Sequence, residues 1–364
     1  MLLSEITSYL SNEIPTALQE GYDNCGLLIG DPDMGITGIL VCLDITVEVF
    51  EEAKQKNCNL IVSHHPLIFS GIKSLTGRDE TERLVLRAIR ENVAVFALHT
   101  NLDNHHKGVN YFLCEKLGIE SIEILRPVAD KLCKLVTYCP TMYAGKVREA
   151  ILGAGAGHIG NYDFCSFNSN GEGTFRAQAG ANPFVGEQGK VQVEPEMRIE
   201  TIFPDFLENK IVAALKQAHP YEEVAFDIYP LKNSNFQVGA GMVGMLPQEI
   251  GAEDFLFQVK AELKVGSIRH TALQNKKVQR VALCGGSGSF LIKDAMRCNA
   301  DIYMTGDIKY HDFFIPGNKM ILADIGHYES EQFTKELIYT ILKKKFTTFA
   351  LFISGVSTNP VNYL

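Results

Sequence analysis

The sequence predicts an α/β protein, a split α/β domain interrupted by an inserted ferredoxin-like α+β domain. Three observations carry this. Short apolar runs alternate with helical patterns at both ends of the chain, the pattern of βαβ units with a largely parallel sheet. The texture changes near Arg126 and returns after Gly239. A length of 364 residues also exceeds what one ordinary core fills.

Taken in order, MLLSEITSYLSNEIP reads as an amphipathic helix, ITGILVCLDI (36–45) as a buried strand and VEVFEEAKQK (47–56) as a helix. NLIVSHH (59–65) is a strand, DETERLVLRAIRE (79–91) a helix, VAVFALHT (93–100) a strand and KGVNYFLCEKLG (107–118) a helix. The interior segment begins with a strand at 134–140 and a helix at 144–157. A long Gly-, Asn- and Ser-rich stretch comes next, then MRIETIFP, ENKIVAALKQAHP and EVAFDIYPL. That order is ferredoxin-like and makes a compact unit by itself. After Gly239, GMVGMLP, VQRVALCGG, ADIYMTGD and KMILADIGH alternate with helices, the last running from about 328 to 345. The expected domains are 1–126 with 237–364, and a guest at 127–236 whose ends lie close together.

Composition narrows the function classes. A formal net charge of −9 argues against an extended nucleic-acid footprint. The N-terminus lacks the basic and apolar regions of a secretory signal, and no apolar run reaches membrane-spanning length, so a cytoplasmic protein without membrane contact is expected. The nine cysteines are scattered, with no CxxC pair. They suit buried free thiols, not disulfides or a thiolate zinc site, so any metal would be held by nitrogen and oxygen.

The chemistry lies at strand ends, where parallel α/β sheets bind ligands. His64 and His65 end one strand, and Pro66 stops its continuation. The next strand ends at His99, with Asp103 in its exit loop, and a late strand leads to His327 and Glu331, an i,i+4 pair on one helical face. Singly, each has an ordinary explanation: a strand-end histidine is a polar cap, and an HxxxE pair is a solvated ion pair worth about 0.3–0.5 kcal/mol. Their common position after strong apolar strands favours a metal site. Mixed histidine and carboxylate ligands suit zinc, manganese, iron, cobalt or nickel without choosing among them.

DNCGLLIG (23–30), VSHHPLIFSGIKSL (62–75), HTNLDNHHKGVN (99–110), TGDIKYHD (305–312) and DIGHYESE (324–331) together resemble the Nif-three-like family, the GTP cyclohydrolase 1 type 2 homologues. The resemblance covers essentially the whole chain, and the insertion resembles the PII-like or CutA-like domain of the long members. It implies two divalent metal ions held by His64, His65, Asp103, His327 and Glu331. In such a pair Glu331 is the expected bridge, since a carboxylate has two oxygens and a neutral imidazole one free lone pair. It also implies a hydrolase in which a metal-bound hydroxide attacks a nucleotide-like substrate, such as the GTP imidazole ring. The further expectation is a homohexamer, a trimer of dimers.

His99 and His311 are the candidate proton carriers. His105, His106 and Asp307 sit in the same motifs, as supports for the ligands or substrate contacts. Lys73, Lys309 and Ser287, the last in the turn CGGSGS (284–289), are candidate anion contacts. Two other classes share these residues: a metabolite-binding regulatory protein, because the guest resembles small-molecule sensor domains, and a nucleotide phosphoesterase. The guest motifs GHIGNY and HPYEE read as stabilising or ligand motifs, with no chemical partner evident for His219 or Tyr221.

Overall fold

A computed structural model of the chain describes residues 1–129, 131–273 and 276–363. They form two compact units, Met1–Arg126 with Val238–Leu364, and Pro127–Gln237.

The first five strands are β1 (Gly26–Ile29), β2 (Ile39–Cys42), β3 (Leu60–Ser63), β4 (Ala94–Ala97) and β5 (Glu120–Val128). Next come β6 (Leu132–Pro140), β7 (Phe167–Arg176), β8 (Val191–Pro204) and β9 (Phe226–Leu231). The chain closes with β10 (Asn235–Gly251), β11 (Arg269–His270), β12 (Lys277–Ser287), β13 (Ile302–Gly306), β14 (Ile321–Asp324) and β15 (Leu351–Ile353).

In the larger unit the apolar runs divide between two sheets, not one. A five-stranded sheet has the order β1-β4-β3-β2-β15, and a six-stranded one β11-β14-β13-β12-β10-β5. Strands β15, β2, β3 and β4 are mutually parallel, as are β12, β13 and β14. Every residue of β2, β3, β4 and β14 is buried, which is why they read as unbroken apolar runs. Helices begin where the sequence supplies caps. Asp79 accepts from the Glu82 amide at 2.8 Å to start Glu80–Arg90, and Thr46 accepts from Val49 N to start Val47–Gln55.

Two local expectations change. The helix expected at 328–345 is broken into His327–Glu331 and Thr334–Lys345. Between them Phe333 is buried in the core and the Gln332 side chain donates to the Leu263 carbonyl at 2.9 Å. The CGGS part of the expected turn belongs instead to β12, whose pairing with β13 shifts register between Leu283 and Ser287. Such an irregularity re-aims a strand beside a site.

The smaller unit has one four-stranded antiparallel sheet, β7-β8-β6-β9. With helices Ala144–Gly153 and Glu208–Ala218 between the outer pairs of strands, this is a βαββαβ order. Val147, Ile151, Ile211 and Leu215 from the helices pack on Leu135, Ile199 and Phe203 from the sheet.

No helix among the described residues is long and apolar enough to cross a membrane. All nine cysteines are free. Because β5 and β10 are neighbours in one sheet, the larger unit's chain departs and returns on adjacent strands. Joining Arg126 to Val238 through a short Gly/Ser linker is therefore expected to leave a folded, metal-binding core. Circular dichroism and elemental analysis check this, and an insoluble or metal-free product would contradict it.

Candidate metal centre

The parallel registers pair Cys42 with Ser63 and Ser63 with Ala97, so β2, β3 and β4 end level with one another. The ladder continues briefly: the amides of His64, His65 and Leu98 donate to the carbonyls of Cys42, Leu43 and Ser63. Asp44, the His64–His65 pair and His99 thus leave the sheet side by side. In the other sheet, Ser287 pairs with Gly306 and Thr305 with Asp324. Its strand ends deliver Gly286, Asp307 and the short helix His327–Glu331.

Adjacent side chains on a straight strand would point apart. Here β3 stops at Ser63, whose hydroxyl donates to the His65 carbonyl at 2.7 Å, and both imidazoles reach one carboxylate. His64 Nε2 lies 3.7 Å from Glu331 Oε1, and His65 Nε2 lies 3.0 Å from Glu331 Oε2. His327 Nε2 approaches the same Oε2 at 3.1 Å, and Asp103 Oδ1 lies 3.7 Å from His64 Nε2. Two triads therefore share Glu331: His65, His327 and Glu331, and His64, Asp103 and Glu331. A third group joins His64, His65 and His99, and none of the three contains a cysteine.

Each ligand-like imidazole is oriented from behind. His64 Nδ1–H donates to the Leu98 carbonyl at 2.7 Å, His65 Nδ1–H to Asp44 Oδ1 at 2.7 Å and His327 Nδ1–H to Asp307 Oδ2 at 2.7 Å. This fixes Nε2 as the inward atom, the usual support for a metal-bound histidine. Asp307 reaches its post from a left-handed backbone, φ 56°, a strain that clusters at functional sites. His99 is held likewise, its Nδ1–H on Asp23 Oδ1 at 2.8 Å.

The fit of these residues to a cation rests on two atoms. His64 Nε2 and Asp103 Oδ1 are buried with no hydrogen-bond partner. An unsatisfied buried polar pair is costly, and a cation between them satisfies both. Charge points the same way. Burial opposes ionisation of Glu331, but the hydrogen bonds from His327 and His65 and the nearby His64 imidazole outweigh it and hold the carboxyl well below its ordinary range. Burial and the Glu331 charge push Asp103 up, as expected of carboxylates gathered without a cation. Burial lowers His64, whereas Asp44 and Glu331 overcome burial to raise His65 to about 10. The Glu331 hydrogen bond raises His327 to about 9.

Space around Glu331 is reserved by glycine. A Cβ on Gly286, where φ is 60°, would stand 2.2 Å from Glu331 Oε1. Gly286→Ala is therefore expected to displace the carboxylate and weaken metal binding by about tenfold or more. Metal titration monitored by calorimetry checks this, and an unchanged affinity would contradict it.

Residues 1–360 match the family model described as Duf34/NIF3 (NGG1p interacting factor 3). The chain belongs to the DUF34/NIF3 family. It is 38% identical to a Halalkalibacterium halodurans protein named GTP cyclohydrolase 1 type 2 homolog, over 96% of this chain and 95% of that protein. A crystal structure of a Bacillus cereus protein related to NIF3 superposes with a TM-score of 0.88 at 36% identity, covering 100% of this chain and 99% of that one. A Staphylococcus aureus protein structure gives 0.79 at 31% identity over 100% and 99%.

In this NIF3-family chain, a cavity of about 550 Å³ is lined by His99, Asp103, His327, Glu331, Ser287 and Arg126. Ser287 and His99 thus stand with the carboxylates. His311 is exposed, with ring contacts to Tyr310 and Phe314. Lys73 lines a different cavity, formed by residues 66–74 with Asp79, Thr81 and Glu82. Lys309 is exposed beside that same turn of Tyr310–Phe314. The His105 and His106 rings lie 4.5 Å apart at a tilt of 40°, and burial pushes His105 down to about 4.

Sequence reasoning missed Asp44, Asp23 and Arg126. Asp44 comes just after β2 at a strand end, so the rule that found His64 also reaches it. Asp23 sits inside DNCG, a motif noticed without a role for its acid. Arg126 has no local signal. Its guanidinium lies 4.7 Å from the Phe290 ring centroid and 3.9 Å from Asp294, contacts made only by the fold.

Proposed function

We propose that this chain is a dinuclear metal-dependent hydrolase acting on a nucleotide-like substrate. The observation that carries it is the pair of triads sharing Glu331, with the orphaned atoms of His64 and Asp103 inside one of them. The name of the relatives, GTP cyclohydrolase 1 type 2 homolog, supports a purine nucleotide as the substrate class. His64, Asp103 and Glu331 would hold one ion, and His65, His327 and Glu331 the other. Such ions lower the pKa of bound water and polarise the electrophile.

The protein's own groups do the rest. His99, tied by Nδ1 to Asp23, presents Nε2 to the cavity and carries a proton to or from the reacting group. Arg126 and Ser287 hold the anionic part of the substrate, and the cavity walls limit water. The four carboxylates Asp23, Asp103, Glu331 and Glu20 near this cavity repel a free triphosphate, so Arg126 and the bound cations must offset them. The βαββαβ unit at 127–237 is, in this reading, a PII-like module.

The test is incubation of metal-loaded protein with GTP, with Glu331→Ala as control. Formate release that needs Glu331 supports ring opening. Inorganic phosphate with an intact purine would make the site a phosphoesterase, and binding without turnover would favour a regulatory protein.

A further inference from the structure

The smaller unit holds a cavity of its own, and the hydrolase reading plays no part in it. A cavity of about 690 Å³ opens in this unit, within the range of small-molecule sites. Its walls include Tyr138, Phe175, Phe184 and Tyr221, with Glu196 among its lining residues. The Tyr221 ring lies 5.8 Å from Phe175 and 6.2 Å from Phe184.

Glu196 is only 9% exposed. Among the described residues the one hydrogen bond to its carboxylate comes from the Tyr221 hydroxyl at 2.9 Å, and no cationic side chain pairs with it. A carboxylate offers about four acceptor positions, and a buried charge wants a counter-charge. The strand opposite makes room for it: a Cβ on Gly173 would lie 2.2 Å from Glu196 Oε2. The cavity also carries Glu172, Glu222 and Glu223 against Arg176 and Arg198, and Arg198 is already paired with Glu200 at 2.9 Å. Its lining is therefore net acidic.

HPYEE gains a role here. His219 Nε2–H donates to the Tyr138 carbonyl at 2.9 Å, which leaves Nδ1 to accept from the Tyr221 amide at 3.1 Å. The neutral imidazole thus clamps the Tyr221 backbone and aims its hydroxyl at Glu196. Fixed rings around a buried, uncompensated carboxylate suit a cation with an apolar body, held by charge-assisted hydrogen bonding and by the ring faces.

We propose that this cavity binds a small organic cation, a protonated amine with an apolar portion, with Glu196 as its counter-ion. The test uses the full chain and three probes of one shape: phenethylammonium, 2-phenylethanol and phenylacetate. Calorimetry in the presence of a chelator, which keeps the amine from ligating metal, should show saturable binding of the ammonium probe. Affinity near millimolar suits so small a ligand, with a preference of about tenfold or more over the alcohol, the size of one charge-assisted hydrogen bond. Glu196→Gln should erase that preference and leave the alcohol unchanged. Phe184→Ala, at a partly exposed wall, should weaken the ammonium probe several-fold and decides the matter if Glu196→Gln unfolds. Equal binding of the alcohol or the anion overturns the proposal, as does unchanged binding in either folded variant or no saturable binding of the ammonium probe.

Discussion

Glu331→Ala is expected to empty the site of both ions at once, the largest loss available to any single substitution. Glu331 is 3% exposed and both its oxygens are engaged, Oε1 toward His64 and Oε2 toward His65 and His327. Every other ligand belongs to one triad of this pair. Truncating it removes a ligand from each and leaves His65 and His327 without their shared counter-charge. The drop in affinity should exceed the roughly 10–100-fold expected for a supporting residue such as Asp44. Parallel metal titrations of Glu331→Ala and Asp44→Ala check the ranking. Equal losses would mean that Glu331 is not shared.

Chelation should destabilise the protein, and by more at high pH. In the metal-free site His65 and His327 titrate at about 10 and about 9, above their ordinary value. Raised groups stabilise the fold fully below the unfolded pKa near 6.5, and that contribution fades as pH rises through 9 to 10. Glu331 is depressed, so its contribution is present above its ordinary range and is lost only in strong acid. Metal requires neutral imidazoles and must displace those protons, so its affinity climbs as pH rises. Saturation at about a thousand times the dissociation constant adds about 4 kcal/mol. The melting temperature of loaded minus chelated protein should therefore be larger at pH 9 than at pH 6. A gap independent of pH would contradict protonated histidines in the free site.

The site residues were visible in sequence where chain order alone makes a pattern. Leu60–Ser63 and Ala94–Ala97 are buried on both faces, so their apolar runs stand out and single out the residues at their ends, His64–His65 and His99. His327 and Glu331 share a helical face whatever the fold does. Sequence could not supply the meeting of distant segments. The apolar strands gave no sign of dividing between two sheets, because burial on both faces looks alike in either. Arg126 lines the cavity beside Phe290 and near Asp294, residues far from it in sequence. Lys73, nearest in sequence to the histidine pair, lines a separate cavity, since residues 66–74 form their own surface loop. Glu196 and Tyr221 lie 25 positions apart, and only the register of β8 against β7 brings the carboxylate under Gly173.

The proposed pair of ions, held by five side chains through one shared carboxylate, implies a definite stoichiometry. Elemental analysis of protein reconstituted with a single transition metal reads it directly, alongside His327→Ala and Asp103→Ala. About two ions per chain are expected in the parent and about one in each variant, because each substitution opens only one of the two triads. One ion per chain in the parent, or loss of all metal from both variants, would contradict a shared Glu331.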